Sequence, residues 1–143
     1  MLVLVTGATG FLGRRVVPAL LERHHQVRCL VHTPGRERIF SDRSLQIHYG
    51  SVTDLDALGA ACQGVEAVIH LAAIIPPGIY KNRSLARKVN VHATATLVKI
   101  AESQPEPPRF VQASSNAVFG SRNPHRATGP VTADMPLKHS DLY

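Results

Sequence analysis

Short apolar runs alternate with stretches of helical period along most of this chain. Leu2 to Val5 is continuous in apolar residues and reads as a first strand. Behind it, Leu12, Val16, Val17, Leu20 and Leu21 recur at helical spacing, while Arg14, Arg15, Glu22 and Arg23 take the opposite face. Pro18 falls inside that helix and is expected to kink it or remove a backbone bond. Val27 to Val31 reads as a second strand and Leu45 to Tyr49 as a third, separated by the polar stretch His32 to Ser44. A short helix follows over Asp54 to Cys62, with Asp54 near its start and Gly64 just beyond its end. Val65 to Leu71 is nearly all apolar, the mark of a strand buried on both faces. Pro76, Pro77 and Gly78 break the chain. Ser84 to Glu102 is the longest helix, with Leu85, Val89, Ala93, Leu97 and Ile100 on one face and Pro105, Pro107 and Pro108 beyond its end. Arg109 to Ala113 gives a fifth strand, and past Gly120 the periodicity fades into a loop-like tail.

Strands alternating with helices over short connections predict an α/β fold, a doubly wound parallel sheet of about five strands, in one domain spanning residues 1–143. No internal repeat or second domain is visible. Ligands of such sheets sit at the carboxyl ends of the strands, so the residues that follow strands one, two, four and five are expected to converge.

The strongest chemical signal stands at the first of those ends. Thr6-Gly7-Ala8-Thr9-Gly10-Phe11-Leu12-Gly13 joins strand to helix through a glycine turn, an arrangement that holds a dinucleotide pyrophosphate. Gly7 allows a tight turn, Gly10 lets backbone amides reach phosphates, and Gly13 lets the helix pack on the strand. The unpaired amides of the helix start, together with the positive end of its dipole, meet the anion.

Composition narrows the classes without changing this picture. At 143 residues and 44% hydrophobic content, the chain has enough material for a core and the balance of a soluble globular protein. Its net charge of +6 favours anionic partners in general. There is no Trp and no Lys/Arg stripe interleaved with aromatics, so no nucleic-acid partner is expected. Cys29 and Cys62, in apolar contexts and without Cys-x-x-Cys spacing, read as buried thiols of a reducing compartment. The histidines are scattered, so no metal site is expected. Met1 lies one residue before the first strand and no apolar run approaches about 20 residues, so no signal segment or membrane span is expected and the expected location is cytoplasmic.

The Gly-x-x-Gly-x-x-Gly spacing resembles that of the short-chain dehydrogenase/reductase superfamily, and other motifs draw the resemblance towards its extended, NAD-dependent epimerase/dehydratase branch. His70-Leu71-Ala72-Ala73 resembles that branch's His-Leu-Ala-Ala element, Asn90-Val91-His92-Ala93-Thr94 its Asn-Val-x-Gly-Thr, and Ser114-Ser115-Asn116-Ala117-Val118-Phe119-Gly120 its Ser-Ser-x-x-Val-Tyr-Gly. The resemblance implies a Rossmann-like fold and hydride transfer at a secondary alcohol or ketone. Nucleotide sugars, steroid-like alcohols and other small carbonyl compounds are the substrate classes considered.

It also implies roles. Gly7, Gly10, Phe11, Leu12 and Gly13 would hold the cofactor's phosphates, and Leu71, Ala72 and Ala73 would line its nicotinamide half. Ser115 would hold the substrate oxygen, and Tyr143 would be the general acid/base, its phenol lowered from about 10 by a Lys of the Tyr-x-x-x-Lys motif that would lie beyond this chain. Four residues keep two readings each. His70 is a hydrogen-bonded strand-end histidine or a catalytic one, and Asn90 supports the cofactor site or merely caps or faces solvent. For a pair of serines at a strand end, backbone capping is the alternative, and it suits Ser114 better than Ser115.

For the cofactor, NAD binding normally uses an acid at the end of strand two, and Val31-His32-Thr33-Pro34 has none. His32, with Arg36 and Arg38 close behind, leans the expectation to NADP, although His32 also reads as a neutral surface residue. Gly50-Ser51-Val52 resembles the Gly-Asp-Leu/Val adenine contact, with Ser51 in place of Asp. The resemblance covers only the front part of the family's length. The substrate-binding part is therefore expected to be missing, leaving strand five as an open apolar edge that invites association, a homodimer included. A non-catalytic NADP-binding redox sensor or interaction module is the alternative to an enzyme, and a Lys at the fourth position after Tyr143 separates the two.

Overall fold

The computed structural model describes residues 1–42, 44–119 and 132–137. Five strands form one sheet: β1 (Leu2–Thr6), β2 (Gln26–Val31), β3 (Gln46–Tyr49), β4 (Ala67–His70) and β5 (Arg109–Gln112). Their order is β3-β2-β1-β4-β5, and every pairing is parallel. The direction of winding reverses between β1 and β4, and a crevice opens where the strands exit on either side of such a reversal.

Period-two alternation explains how the sheet is covered twice. Leu4, Leu30 and Val68 point to one face and pack with Leu58 and Cys62 of α2 (Leu55–Cys62) and with Leu97 of the helix Thr94–Glu102. Val3, Val5, Cys29 and Val31 point to the other and pack with Val17 of α1 (Gly13–Glu22). Both faces of β1 are buried, as the continuous apolar run requires. Among the described residues β5 pairs only with β4, and Val111 on it is half exposed, so this edge of the sheet is open.

Most elements fall where the periodicity puts them, and the departures have physical causes. α1 runs through Pro18 without ending there and closes at His24, which takes a left-handed φ of 60°. The bond Pro18 forgoes is the one the carbonyl of exposed Arg14 would have accepted, where water can replace it. The segment after Pro77 folds into a short α3 (Gly78–Lys81). The single long helix expected over Ser84 to Glu102 is instead α4 (Arg83–Arg87), a π-helical turn over Lys88–Ala93, and α5 (Thr94–Glu102). The Thr94 hydroxyl donates to the carbonyl of Asn90 at 3.0 Å, and such back-bonding competes with the regular helical ladder.

Both cysteines are free and buried. Burial pushes the Cys29 thiol up to about 12. Iodoacetamide at neutral pH will therefore leave Cys29 unmodified in the native protein and label it on unfolding. Rapid native labelling of Cys29, read by mass spectrometry, would contradict this burial.

Candidate functional site

The glycine loop is shaped by what its glycines touch. Gly7 has φ of +69°, and a Cβ there would stand 2.7 Å from the backbone of Leu71 and Ala72. Gly7 thus serves the close approach of two strand ends as well as the turn. A Cβ on Gly13 would run into the carbonyls of Ala8 and Gly7. The expected packing of helix on strand is therefore, at this residue, packing of the helix start on its own loop. Gly10 is less crowded, with Gly7 O at 3.1 Å from a built Cβ, and its amide closes the turn onto that oxygen at 2.9 Å.

The start of α1 is left electrically open. Asp54 caps α2 by accepting from the amides of Asp56 and Ala57, and Asn82 caps α4 by accepting from Leu85. α1 has Leu12 at that position and no side-chain cap. Among the described residues the amides of Phe11 and Leu12 meet no acceptor, while the Phe11 side chain is 91% exposed. Unpaired donors at a helix's positive end, with no side chain over them, suit a phosphate.

At the exit of β4 the sequence left two readings of His70, and the structure supports the hydrogen-bonded one. The ring is fully buried. Its Nδ1 lies 2.5 Å from Thr6 Oγ1 and its Nε2 3.0 Å from Thr94 Oγ1. The single hydroxyl proton of Thr94 goes to Asn90 O, so Nε2 must donate to Thr94 and Nδ1 must accept from Thr6. Burial pulls the imidazole down to about 4, which keeps it neutral as this pattern requires. Asn90 resolves too. Its Oδ1 accepts from the Ile74 amide and its Nδ2 donates to the Ile74 carbonyl, each at 2.8 Å. It clamps the segment that leaves β4.

These pieces surround an open cleft of about 510 Å³ at the carboxyl ends of β1, β4 and β5. Gly7, Gly10, Phe11, Leu12 and Gly13 line it on one side, Leu71, Ala72, Ala73 and Asn90 along its floor, and Ser114 and Ser115 on the far side. Ser115 Oγ accepts from the Ala117 amide at 3.2 Å and caps the 3-10 turn Asn116–Phe119, so the capping role assigned to Ser114 belongs to Ser115. A hydroxyl that accepts there still has its own proton to donate. His32, Ser51 and Val52 lie outside this cleft, at the ends of β2 and β3: His32 is exposed, Ser51 is tied to Thr53, and Val52 packs against the core. Tyr143 lies outside the described residues. Thr6, Thr94 and Gln112 were not anticipated. Thr94 could have been found from its place four residues after Asn90, one helical turn away.

From Ala67 to Ala101 the sequence holds no Asp or Glu, while Lys81, Arg83, Arg87, Lys88 and Lys99 are all exposed. Among the described residues no group of three His, Cys, Asp or Glu side chains could hold a metal ion, and no helix is long and apolar enough to cross a membrane.

Comparison with known proteins decides the family. Residues 3–143 match the model of the NAD dependent epimerase/dehydratase family. The chain belongs to this family. Among curated relatives of this epimerase/dehydratase chain is the 3 beta-hydroxysteroid dehydrogenase/Delta 5-->4-isomerase of Mycobacterium tuberculosis, 36% identical over 99% of the chain and 38% of the relative. The 3-beta-hydroxysteroid dehydrogenase of Mycolicibacterium neoaurum is 34% identical over 99% and 39%. A short-chain dehydrogenase/reductase superfamily protein of Agrobacterium tumefaciens, solved with bound NAD, is 35% identical with a TM-score of 0.82, covering all of this chain and 40% of its own. The UDP-glucose 4-epimerase of Thermus thermophilus, at 22% identity and a TM-score of 0.85, shows the shared fold. The chain spans about two-fifths of the length of these relatives.

Proposed function

We propose that residues 1–143 are the dinucleotide-binding portion of a longer NAD(P)-dependent oxidoreductase or epimerase/dehydratase that transfers hydride at a secondary alcohol or ketone. The observation that carries this reading is the cleft at the reversal between β1 and β4, lined both by Phe11 and Leu12, whose amides meet no acceptor among the described residues, and by the small side chains of Ala72 and Ala73. The residues fit the group: donors without acceptors for the pyrophosphate, and small side chains for a flat ring. Bound there, the nicotinamide would supply the hydride acceptor or donor.

In this reading Ser115 donates its hydroxyl proton to the substrate oxygen at the cleft's far side, fixed by the Ala117 amide it accepts from. Tyr143 exchanges the proton of the reacting hydroxyl. The steroid dehydrogenases among the relatives and the epimerases among the structural neighbours support an alcohol or ketone carbon as the reacting centre. A small-molecule substrate, a homodimer and a cytoplasmic location belong to the same reading. In the complete protein, reduction of NAD or NADP by a panel of secondary alcohols will be visible in the near-ultraviolet. Tight nucleotide binding with no turnover on any panel member, and no Lys four residues after Tyr143, would favour a redox sensor instead.

The finer choice falls on NADP. No carboxylate ends β2, His32, Arg36 and Arg38 are exposed, and the acid of that loop, Glu37, already accepts from the Gly35 amide at 2.8 Å and bonds to Tyr49. One or two exposed cations on a 2′-phosphate contribute on the order of 1 kcal/mol, so NADP should bind about fivefold more tightly than NAD at moderate salt. Tighter binding of NAD in parallel calorimetric titrations would overturn the preference, and NAD bound to the Agrobacterium relative makes that comparison necessary.

A further inference from the structure

The hydrogen bonds around His70 close on themselves. The Ala72 amide donates to Thr6 Oγ1 at 3.3 Å, Thr6 donates to His70, His70 donates to Thr94, and Thr94 donates to the Asn90 carbonyl. The Asn90 side chain then grips Ile74, two residues along from Ala72 where the circuit began. The loop therefore ties β1, β4 and the π-helical turn together and encloses residues 72–74, of which Ala72 and Ala73 line the cleft. Each hydroxyl in the path has one proton, so the sequence of donors runs in one direction only. It works with His70 in a single state, neutral and protonated on Nε2.

We infer that Thr6, His70 and Thr94, the last two also lining the cleft, form a positioning circuit that sets Asn90 and the segment 72–74, so that affinity for the ligand is controlled through this hydrogen-bonded chain. The geometry favours this over simple packing. A histidine kept for bulk alone has no need of partners on both nitrogens, and Thr94 sits at the junction of the π-helical turn and α5, where its hydroxyl links the ring to the Asn90 carbonyl. The Phe110 ring, tilted at 6.3 Å, bounds the imidazole on another side without competing for a proton. No charged side chain among the described residues is a cause of the lowered imidazole pKa, which comes from burial alone.

The ligand part of the inference rests on the dinucleotide reading, and the test separates the two. Thr94→Val keeps the shape and removes the link, whereas Thr94→Ser keeps the link. In Thr94→Val, hydrogen exchange at the Ile74 amide should accelerate about tenfold relative to Val68 in β4, while Thr94→Ser stays near the parent rate. The complete protein should lose about tenfold in NADP affinity on Thr94→Val and recover it in Thr94→Ser. Unchanged Ile74 exchange, or exchange that rises equally at Val68, overturns the circuit. Accelerated exchange with parent affinity in Thr94→Val overturns its control of the ligand. A parent protein that binds neither nucleotide sinks the dinucleotide reading, and the exchange measurement still decides the circuit. Should Thr94→Val not fold, the nitrogen shifts of His70 in the parent decide: an Nδ1–H or charged imidazole at neutral pH overturns the proposal.

Discussion

Gly13→Ala will abolish measurable dinucleotide binding and cost the fold about 3 kcal/mol, because its Cβ has nowhere to go. The atoms in its way are the backbone carbonyls of Ala8 and Gly7, which cannot rotate aside as a side chain would. Either the loop opens, which moves the amides of Phe11 and Leu12, or α1 tilts away from Val3 and Val5 on the sheet. Gly7→Ala should behave similarly, since it adds a φ of +69° to a 2.7 Å approach to Leu71 and Ala72. Gly59, inside α2 with open space around it, is the control: Gly59→Ala should stabilise by about 0.5–1 kcal/mol through helix propensity and leave binding alone. Calorimetric titration with NADP and urea unfolding of the three variants measure both effects. Affinity within a few-fold of the parent in Gly13→Ala would refute the close approach.

Acid should destabilise this protein through His70. Its imidazole sits at about 4 in the folded chain against an ordinary value near 6.5, so between those values the unfolded chain binds a proton that the folded chain refuses. Stability from this residue is complete above about pH 6.5, is lost as pH falls towards about 4, and changes no further below that. The shift corresponds to about 3 kcal/mol at most. Glu37 and Asp42, whose carboxyls are held below the usual range by hydrogen bonds, lose their favourable contacts as pH falls through their ordinary values of 4.5 and 3.8 and below, which overlaps only the acid end of the His70 window. Urea midpoints taken across this range should therefore fall on acidification, and His70→Gln should flatten the fall between about pH 6.5 and 4. An unchanged slope in His70→Gln would show that another group carries the acid sensitivity.

What the sequence disclosed followed from backbone repeat and local chemistry. The apolar run Leu2 to Val5 and the glycines at 7, 10 and 13 suffice for strand, turn and helix, because each constraint is met within a dozen residues. Leu71 to Ala73 could be placed at the cleft because they follow a strand, whereas Asn90 could be placed there only through its motif's resemblance to the family's. The π-helical turn could not be read, since apolar spacing around Leu85, Val89 and Ala93 suits an unbroken helix, whereas the Thr94 hydroxyl that bonds back to Asn90 also meets His70 of β4, a contact distant in sequence. That Ser115 rather than Ser114 does the capping was hidden for the same reason at smaller scale. Adjacent serines have equal propensity to cap, and only the path of the chain into the 3-10 turn decides which oxygen faces the Ala117 amide.

The bare start of α1 has a consequence for the energetics of the whole chain. Its neighbours α2 and α4 complete their first turns with Asp54 and Asn82, a contribution of about 1 kcal/mol each, and α1 forgoes it. A phosphate seated on Phe11 and Leu12 would take the place of that missing residue. Ligand and helix would then share one folding equilibrium, in which the incoming anion finishes a secondary-structure element as much as it occupies a pocket.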